Sequence, residues 1–262
     1  MRGNGEGFKG TRGKLTHVFL ERIMKMKPSF FVMENVVGLL MRKKPKQILD
    51  TLLLKLISEY YYLDRATLNA LDYGVPQYRK RVFIIGLRKD IFRIEGAGES
   101  TIEDIRSFDF PWPKPKYPDA LNSYAWPDSS PFGAEELIKP QGVPEALCVN
   151  KCVEGAQELP NGNEFFQFNG NAEARMDIDE GDTKRRSFKR LHPYENRRLS
   201  VREALRIQSV DDKYVWGPER LSAKFKIIGN GVPVLLAQAV AKELYNLLNK
   251  TKNTPVEPIV EQ

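Results

Sequence analysis

Residues 30–36 read Phe30-Phe31-Val32-Met33-Glu34-Asn35-Val36. A helical pattern flanks this short apolar run on each side, so it reads as a buried parallel strand: a strand covered on both faces needs no polar alternation. The run stops at an acid. In open α/β sheets ligands gather beyond the carboxyl ends of the strands, which makes Glu34, with the Asn35 amide beside it, a site candidate. A carboxylate there can equally cap the strand and pair with a Lys or Arg, because a structural ion pair and a functional acid look alike in sequence.

Outward from that strand the pattern is regular. Upstream, Leu15, Val18, Phe19, Ile23 and Met26 recur at helical spacing, and Lys27-Pro28 closes the segment. Downstream, Lys44-Pro45 opens a helix with Ile48, Leu49, Leu52, Leu53 and Leu56 on one face, ending near Ser58. Residues 60–69 then read as a second strand, giving a β-α-β succession. Asp72-Tyr73-Gly74-Val75-Pro76 has turn chemistry and places Gln77-Tyr78-Arg79-Lys80-Arg81 at the start of a strand over 82–87. Alternation puts Gln77, Arg79 and Arg81 on one side. Two guanidinium forks aimed one way suit a phosphate or a carbonyl oxygen. A strand edge kept from aggregating by its charge is the other reading of the same residues.

The chain has 262 residues, 41% of them hydrophobic, enough for one good core and a second, smaller domain. Its formal net charge of +7 permits a polyanionic partner without demanding one. Two cysteines, Cys148 and Cys152, and two histidines, His17 and His192, are too few and too scattered for a zinc site, so no metal is expected. The start is polar and glycine-rich and no long apolar run stands out, so the reading is a cytoplasmic protein with neither signal peptide nor membrane span.

Residues 90–190 change character. Prolines and aromatics accumulate in Phe110-Pro111-Trp112-Pro113, periodicity weakens, and the basic run Lys184-Arg185-Arg186-Ser187-Phe188-Lys189-Arg190 follows an acidic one. A loop-rich insertion is expected, with Lys184, Arg185, Arg186, Lys189 and Arg190 as a candidate nucleic-acid surface. Regular structure returns at Ser200-Val201-Arg202-Glu203, a capping box that opens a short helix with Arg198, Arg202 and Arg206 on one face. The last helix begins at Gly229-Asn230-Gly231-Val232-Pro233, where small residues leave N–H groups open to an anion, or simply form a loop.

Taken together, these segments resemble the DNA (cytosine-5) methyltransferases. The resemblance rests on Gly7-Phe8-Lys9-Gly10-Thr11-Arg12-Gly13 before the first helix, on Glu34-Asn35-Val36, and on the stretch from Leu68 to Arg81 containing Tyr73-Gly74-Val75-Pro76-Gln77-Tyr78-Arg79-Lys80-Arg81. Asn196 to Gln208 and Gly229-Asn230-Gly231-Val232-Pro233 complete it, in the family's order. It implies an α/β fold: part of a doubly wound, Rossmann-like methyltransferase sheet with a small, loop-rich target-recognition domain. The implied division is 1–89 and 196–250 for the catalytic domain, 90–195 for target recognition and 251–262 for a tail. The implied partners are double-stranded DNA and the cofactor S-adenosyl-L-methionine, in a bacterial restriction-modification setting near the nucleoid. Glu34 would hold the edge of a flipped cytosine and a proton at N3, with Asn35 orienting the carboxylate. Arg81 would bond the base O2, Arg79 would steady the site, and Gln77 would lie at the DNA. Asn230, Gly231 and Val232 would approach the cofactor.

The family also carries a glycine-rich cofactor strand and a Pro-Cys nucleophile loop ahead of the Gly7-Phe8 segment, and this sequence has neither. Neither Cys148 nor Cys152 follows a proline. The chain is therefore expected to be the C-terminal part of such an enzyme, working with a separate N-terminal methyltransferase polypeptide. A catalytically inactive, DNA-binding remnant is the alternative.

Overall fold

A computed structural model describes residues 11–94, 97, 105–126, 142–165, 192, 195 and 197–252. The basic run from Lys184 to Arg190, with its five candidate DNA contacts, lies outside the described residues. The chain forms two compact units, one of residues 1–69, 79–114 and 239–262 and the other of 70–78 and 115–238.

In the first unit helix α1 (Thr11–Met26) turns Thr16, Leu20 and Ile23 inward. Lys27, in the left-handed region at φ 47°, closes it by donating its N–H to Ile23 O at 2.8 Å. Strand β1 (Phe30–Val36), a single turn α2 (Gly38–Met41), helix α3 (Lys43–Glu59), strand β2 (Tyr61–Asn69) and strand β3 (Lys80–Arg88) follow in order. The strand order is β1-β3-β2, and both pairings are antiparallel.

This corrects the reading of residues 30–36 as a buried parallel strand. β1 is an antiparallel edge strand, with Phe31 and Met33 buried but Phe30, Val32 and Val36 exposed. The β-α-β succession itself is present, since β1 and β2 both run against β3 and are therefore parallel to each other, with α3 as the crossover. β3 has been inserted between them. An apolar run records how hydrophobic the neighbours must be and says nothing of their direction.

One face of the sheet packs on α1 and α3 through Leu20, Ile23, Phe31, Met33, Leu49, Leu53, Leu56, Leu63, Val82 and Ile84. Phe31 sits opposite Gly86, and its ring fills the space a side chain there would need: a Cβ on Gly86 would lie 2.1 Å from Phe31 Cε1. On the other face Tyr62 meets Phe108 at 6.4 Å between ring centroids, and the contact continues through Phe110 to Trp112. Asp64 anchors that segment. Its buried carboxylate accepts from Phe110 N at 2.9 Å, Trp112 Nε1 at 2.8 Å and Arg65 N at 2.7 Å. Burial nonetheless raises its pKa, which the three donors only partly offset.

In the second unit the described part of 115–195 carries only single turns, among them α4 (Ala120–Ser123) and α5 (Asn150–Val153). Helix α6 (Val201–Ile207) starts at the expected capping box, with Ser200 Oγ accepting from Glu203 N at 3.2 Å and Glu203 Oε2 accepting from Ser200 N at 2.7 Å. The arginines around it do not share an open face. Arg202 is fully buried and donates to Pro160 O at 3.0 Å and Tyr214 O at 2.7 Å, while Arg206 pairs with Asp212 at 2.8 Å. A guanidinium can enter a core when backbone carbonyls take its donors.

Helix α7 (Leu221–Asn230) was not foreseen, and it takes in Gly229 and Asn230, which read as loop in the sequence. Its apolar side, with Ile228, packs on Val201 and Leu205 and outweighs the helix cost of glycine. Helix α8 (Val234–Lys252) closes the described chain. An 18-residue window within Leu221–Lys250 reaches a mean hydropathy of 1.2, a level that the core helix of a folded protein also reaches. The stretch is two helices broken at Gly231-Val232-Pro233, and Leu236, Val240 and Leu244 are buried in the fold.

Candidate active site

The register of the sheet brings the two key residues together. Glu34 faces Phe83 and Val36 faces Arg81, so Glu34 and Arg81 are diagonal neighbours on one face of adjoining strands. Arg81 Nε lies 2.7 Å from Glu34 Oε1, with side-chain exposures of 11% and 25%. Oε1 is buried against that guanidinium. The other nitrogen of the fork, Nη1, donates to Lys80 O at 2.9 Å.

Burial dominates the electrostatics of the pair. It raises the Glu34 pKa even though Arg81 and Arg79 both pull it down. Burial likewise lowers Arg81 more than Glu34 raises it. Arg79 falls to about 10, through burial first and the neighbouring Arg81 second. Each partner thus makes the other's charge easier to hold, but not by enough to repay the lost water. The result is a carboxyl group that keeps a proton more readily than an exposed glutamate.

Supporting groups fix the backbone around the pair. Asn69 Oδ1 accepts from Arg79 N at 3.1 Å, holding the residue just before β3 and so setting the approach of both arginines. Thr16, buried on α1, accepts from Asn35 Nδ2 at 3.4 Å. Neither Thr16 nor Asn69 was singled out from sequence. The available signals were a threonine in line with Leu20 and Ile23 on the inner face of α1, and an asparagine ending a strand before a turn. Asn35 requires a correction, since its side chain turns to the sheet face opposite Glu34 and its Oδ1 accepts from Val36 N at 2.8 Å. Any hold it has on the carboxylate runs through the backbone.

The remaining predicted residues lie in the second unit. Gln77 Oε1 accepts from Gln208 Nε2 at 3.0 Å. Asn230 and Gly231 are exposed and Val232 is half-buried. The N–H groups at the start of α8 are not open to an anion as expected: Val234 N donates to Gln208 O at 3.0 Å and Leu235 N to Ser209 Oγ at 3.3 Å. Residues 230–232 therefore fit one edge of a cofactor at most. Among the described residues no group of three metal-ligating side chains occurs. Burial pushes Cys152 up to about 11 and also raises Cys148, which disfavours the thiolate at both. A cleft of about 740 Å³ in the same unit is lined by Glu145, Glu154, Glu158 and Glu195 against Lys151, a charge balance that repels phosphate.

Residues 1–246 match the family model described as C-5 cytosine-specific DNA methylase. The chain is 32% identical over 268 residues to the Type II methyltransferase M.NmeDI of Neisseria meningitidis serogroup C, covering 94% of this chain and 60% of that protein. It is 29% identical over 272 residues to the Type II methyltransferase M.FnuDI of Fusobacterium nucleatum, covering 94% and 73%. The chain thus spans about three fifths of the length of the Neisseria relative. A crystal structure of a prophage-encoded E. coli protein described as a DNA modification methyltransferase superposes with a TM-score of 0.53 at 24% identity, over 93% of this chain and 77% of that one. The mixed helix and sheet arrangement is that of an α/β methyltransferase fold.

Proposed function

Because the chain belongs to the C-5 cytosine-specific DNA methylase family, we propose that it supplies the proton-holding acid, the arginines and the DNA-recognition region of a DNA (cytosine-5) methyltransferase. The observation that carries this reading is the half-buried Glu34–Arg81 pair, 2.7 Å apart, with burial holding Glu34 above its ordinary pKa.

The chemistry asks for such a pair. C5 of cytosine is a poor nucleophile until a group adds at C6, and that addition builds negative charge at N3. An acid that holds a proton more readily than usual can neutralise N3 as the charge develops, and a guanidinium at O2 holds the ring in the same plane. Glu34 takes the first part and Arg81 the second, with Arg79 adding positive potential and Asn69 holding its backbone. To reach them the base must leave the duplex. S-adenosyl-L-methionine, when bound, supplies the methyl group; Asn230, Gly231 and Val232 would meet one edge of it. Burial disfavours the thiolate at both Cys148 and Cys152, so the nucleophile is assigned to neither. The Type II naming of the relatives supports a role as the modification half of a restriction-modification pair.

A DNA-binding remnant without turnover is the second reading, favoured by the raised pKa of both thiols. One assay separates the two. The purified chain alone is expected to transfer no methyl groups, and mixing it with the amino-terminal portion of the Neisseria relative, up to where the similarity begins, is expected to restore transfer from labelled S-adenosyl-L-methionine to DNA. A mixture that binds DNA and stays inert would establish the remnant.

A further inference from the structure

Gln77 and Gln208 stand 131 positions apart in sequence and share one hydrogen bond, Gln77 Oε1 accepting from Gln208 Nε2 at 3.0 Å. The backbone is fixed on both sides of this contact. Gln77 leaves a tight turn in which Gly74, at φ 89°, donates to Leu71 O at 3.2 Å, the wholly buried Val75 donates to Ala70 O at 3.2 Å, and Gln77 N donates to Val75 O at 2.6 Å. Gln208 ends α6, its N–H donating to Leu205 O at 2.9 Å while its C=O accepts from Val234 N at 3.0 Å. The next residue, Ser209, is left-handed at φ 55°, which is costly for a residue with a Cβ, and its Oγ accepts from Leu235 N at 3.3 Å. Gln208 is thus delivered from a helix end that is tied to the first turn of α8.

The side chain at 208 is only 5% exposed, and its own Oε1 is buried with no hydrogen-bond partner among the described residues. A buried amide oxygen without a donor weakens a fold, and a methionine of similar length would fill the same space without that cost. Stability therefore does not account for a glutamine here. What the side chain does provide is a donor to Gln77, a half-buried residue whose long side chain has rotamer freedom to lose. The bond also fixes polarity. With the oxygen of the Gln77 amide taken up by Gln208, its NH2 group is the part left to a ligand, and among the described residues that group meets no acceptor. Two N–H donors suit an anionic oxygen such as a DNA phosphate and mismatch another donor.

We propose that Gln208 is a positioning residue: it holds the Gln77 amide with its NH2 group turned to the DNA, where that group donates to a phosphate oxygen. This rests on the reading that the chain binds DNA with Gln77 at the contact, and it deepens it. A side chain ordered before the DNA arrives loses less freedom on binding than one that the contact itself must order.

The test uses the full chain and fluorescein-labelled duplexes of mixed sequence, with binding read by anisotropy and stability by thermal melting. Gln208→Met is expected to melt no lower than the parent and to bind about three- to tenfold more weakly, the effect of having to order one long side chain on binding. Gln77→Met should show a loss of the same size. The double variant should bind no more weakly than either single one, because each removes the same contact. Gln208→Asn, whose shorter side chain draws the amide back from Gln77, is the second variant and should behave as Gln208→Met does. If Gln208→Met melts lower, the cycle still decides: coupled losses support the positioning role and additive losses overturn it. A loss equal on every duplex supports the phosphate contact, and a loss confined to particular sequences overturns it in favour of a base edge. Gln77→Met binding weakly while both Gln208 variants bind normally overturns the positioning role and leaves the reading of Gln77 intact. A parent that binds no duplex, or Gln77→Met binding as the parent does, overturns the reading of Gln77 as a DNA contact and this inference with it.

Discussion

Arg81 Nε and Glu34 Oε1 stand 2.7 Å apart across two antiparallel strands, and burial still destabilises the charge on both. A surface ion pair at that distance is a minor stabilising contact. Here burial raises the pKa of Glu34 and lowers that of Arg81 in spite of the pairing, so the fold holds both charges at a cost in lost water.

If Glu34 is the acid at N3, Glu34→Gln in the reconstituted enzyme lowers the methyl-transfer rate by about 10²- to 10⁴-fold, the usual worth of a positioned general acid. DNA binding, measured by fluorescence anisotropy, should change little, because Gln keeps the shape and a hydrogen-bonding edge. A rate within a factor of two of the parent would remove Glu34 from the chemistry.

The raised pKa of Glu34 sets the sign of a pH effect on stability. The folded chain holds that proton more tightly than the unfolded chain, where the value is the ordinary 4.5. The contribution of Glu34 is therefore fully present below about 4.5 and is lost as pH rises through the folded value. Melting temperatures of the parent minus those of Glu34→Gln should fall over that window. The raised Asp64 is common to both proteins and cancels in the difference.

Asp64→Ala strands three donors, Phe110 N, Trp112 Nε1 and Arg65 N. At about 1–3 kcal/mol for each buried group left unsatisfied, and with some relaxation, a loss of about 3 kcal/mol is expected in urea unfolding. Trp112 fluorescence should shift to the red in the folded variant as the indole loses its anchor.

Gly86→Ala places a methyl group inside the Phe31 ring, 2.1 Å from its nearest atom. Either the ring leaves its rotamer or the strands part, at a cost of about 1–3 kcal/mol. Phe31→Leu should cost stability in the parent but recover part of the loss in the Gly86→Ala background. Additive losses in the double-mutant cycle would show that the two positions do not compete for space.

The elements themselves were largely legible. Apolar spacing at 15–26 and 44–58 located α1 and α3 to within a few residues. The capping box at Ser200 located α6, because caps and periodicity are local properties that survive any tertiary arrangement. Helix α7 escaped notice, because Gly229 and Asn230 are helix-ending residues in isolation and only packing of Ile228 on Val201 and Leu205 holds them helical. The likeness of Glu34-Asn35-Val36 and of the Gln77 to Arg81 segment to one enzyme family was also legible, and with it the residues to bring together.

The order of residues alone thus singled out the candidate acid and arginines, since chemical type and motif spacing are written along the chain. Tertiary structure decided everything that depends on a neighbour. It made β1 an edge strand instead of an inner parallel one, set the register that brings Arg81 diagonal to Glu34, and turned Asn35 to the far face. It also buried Arg202. Strand direction, register and desolvation arise from contacts between residues far apart in sequence, and the protonation of Glu34 is fixed by how much water those contacts exclude.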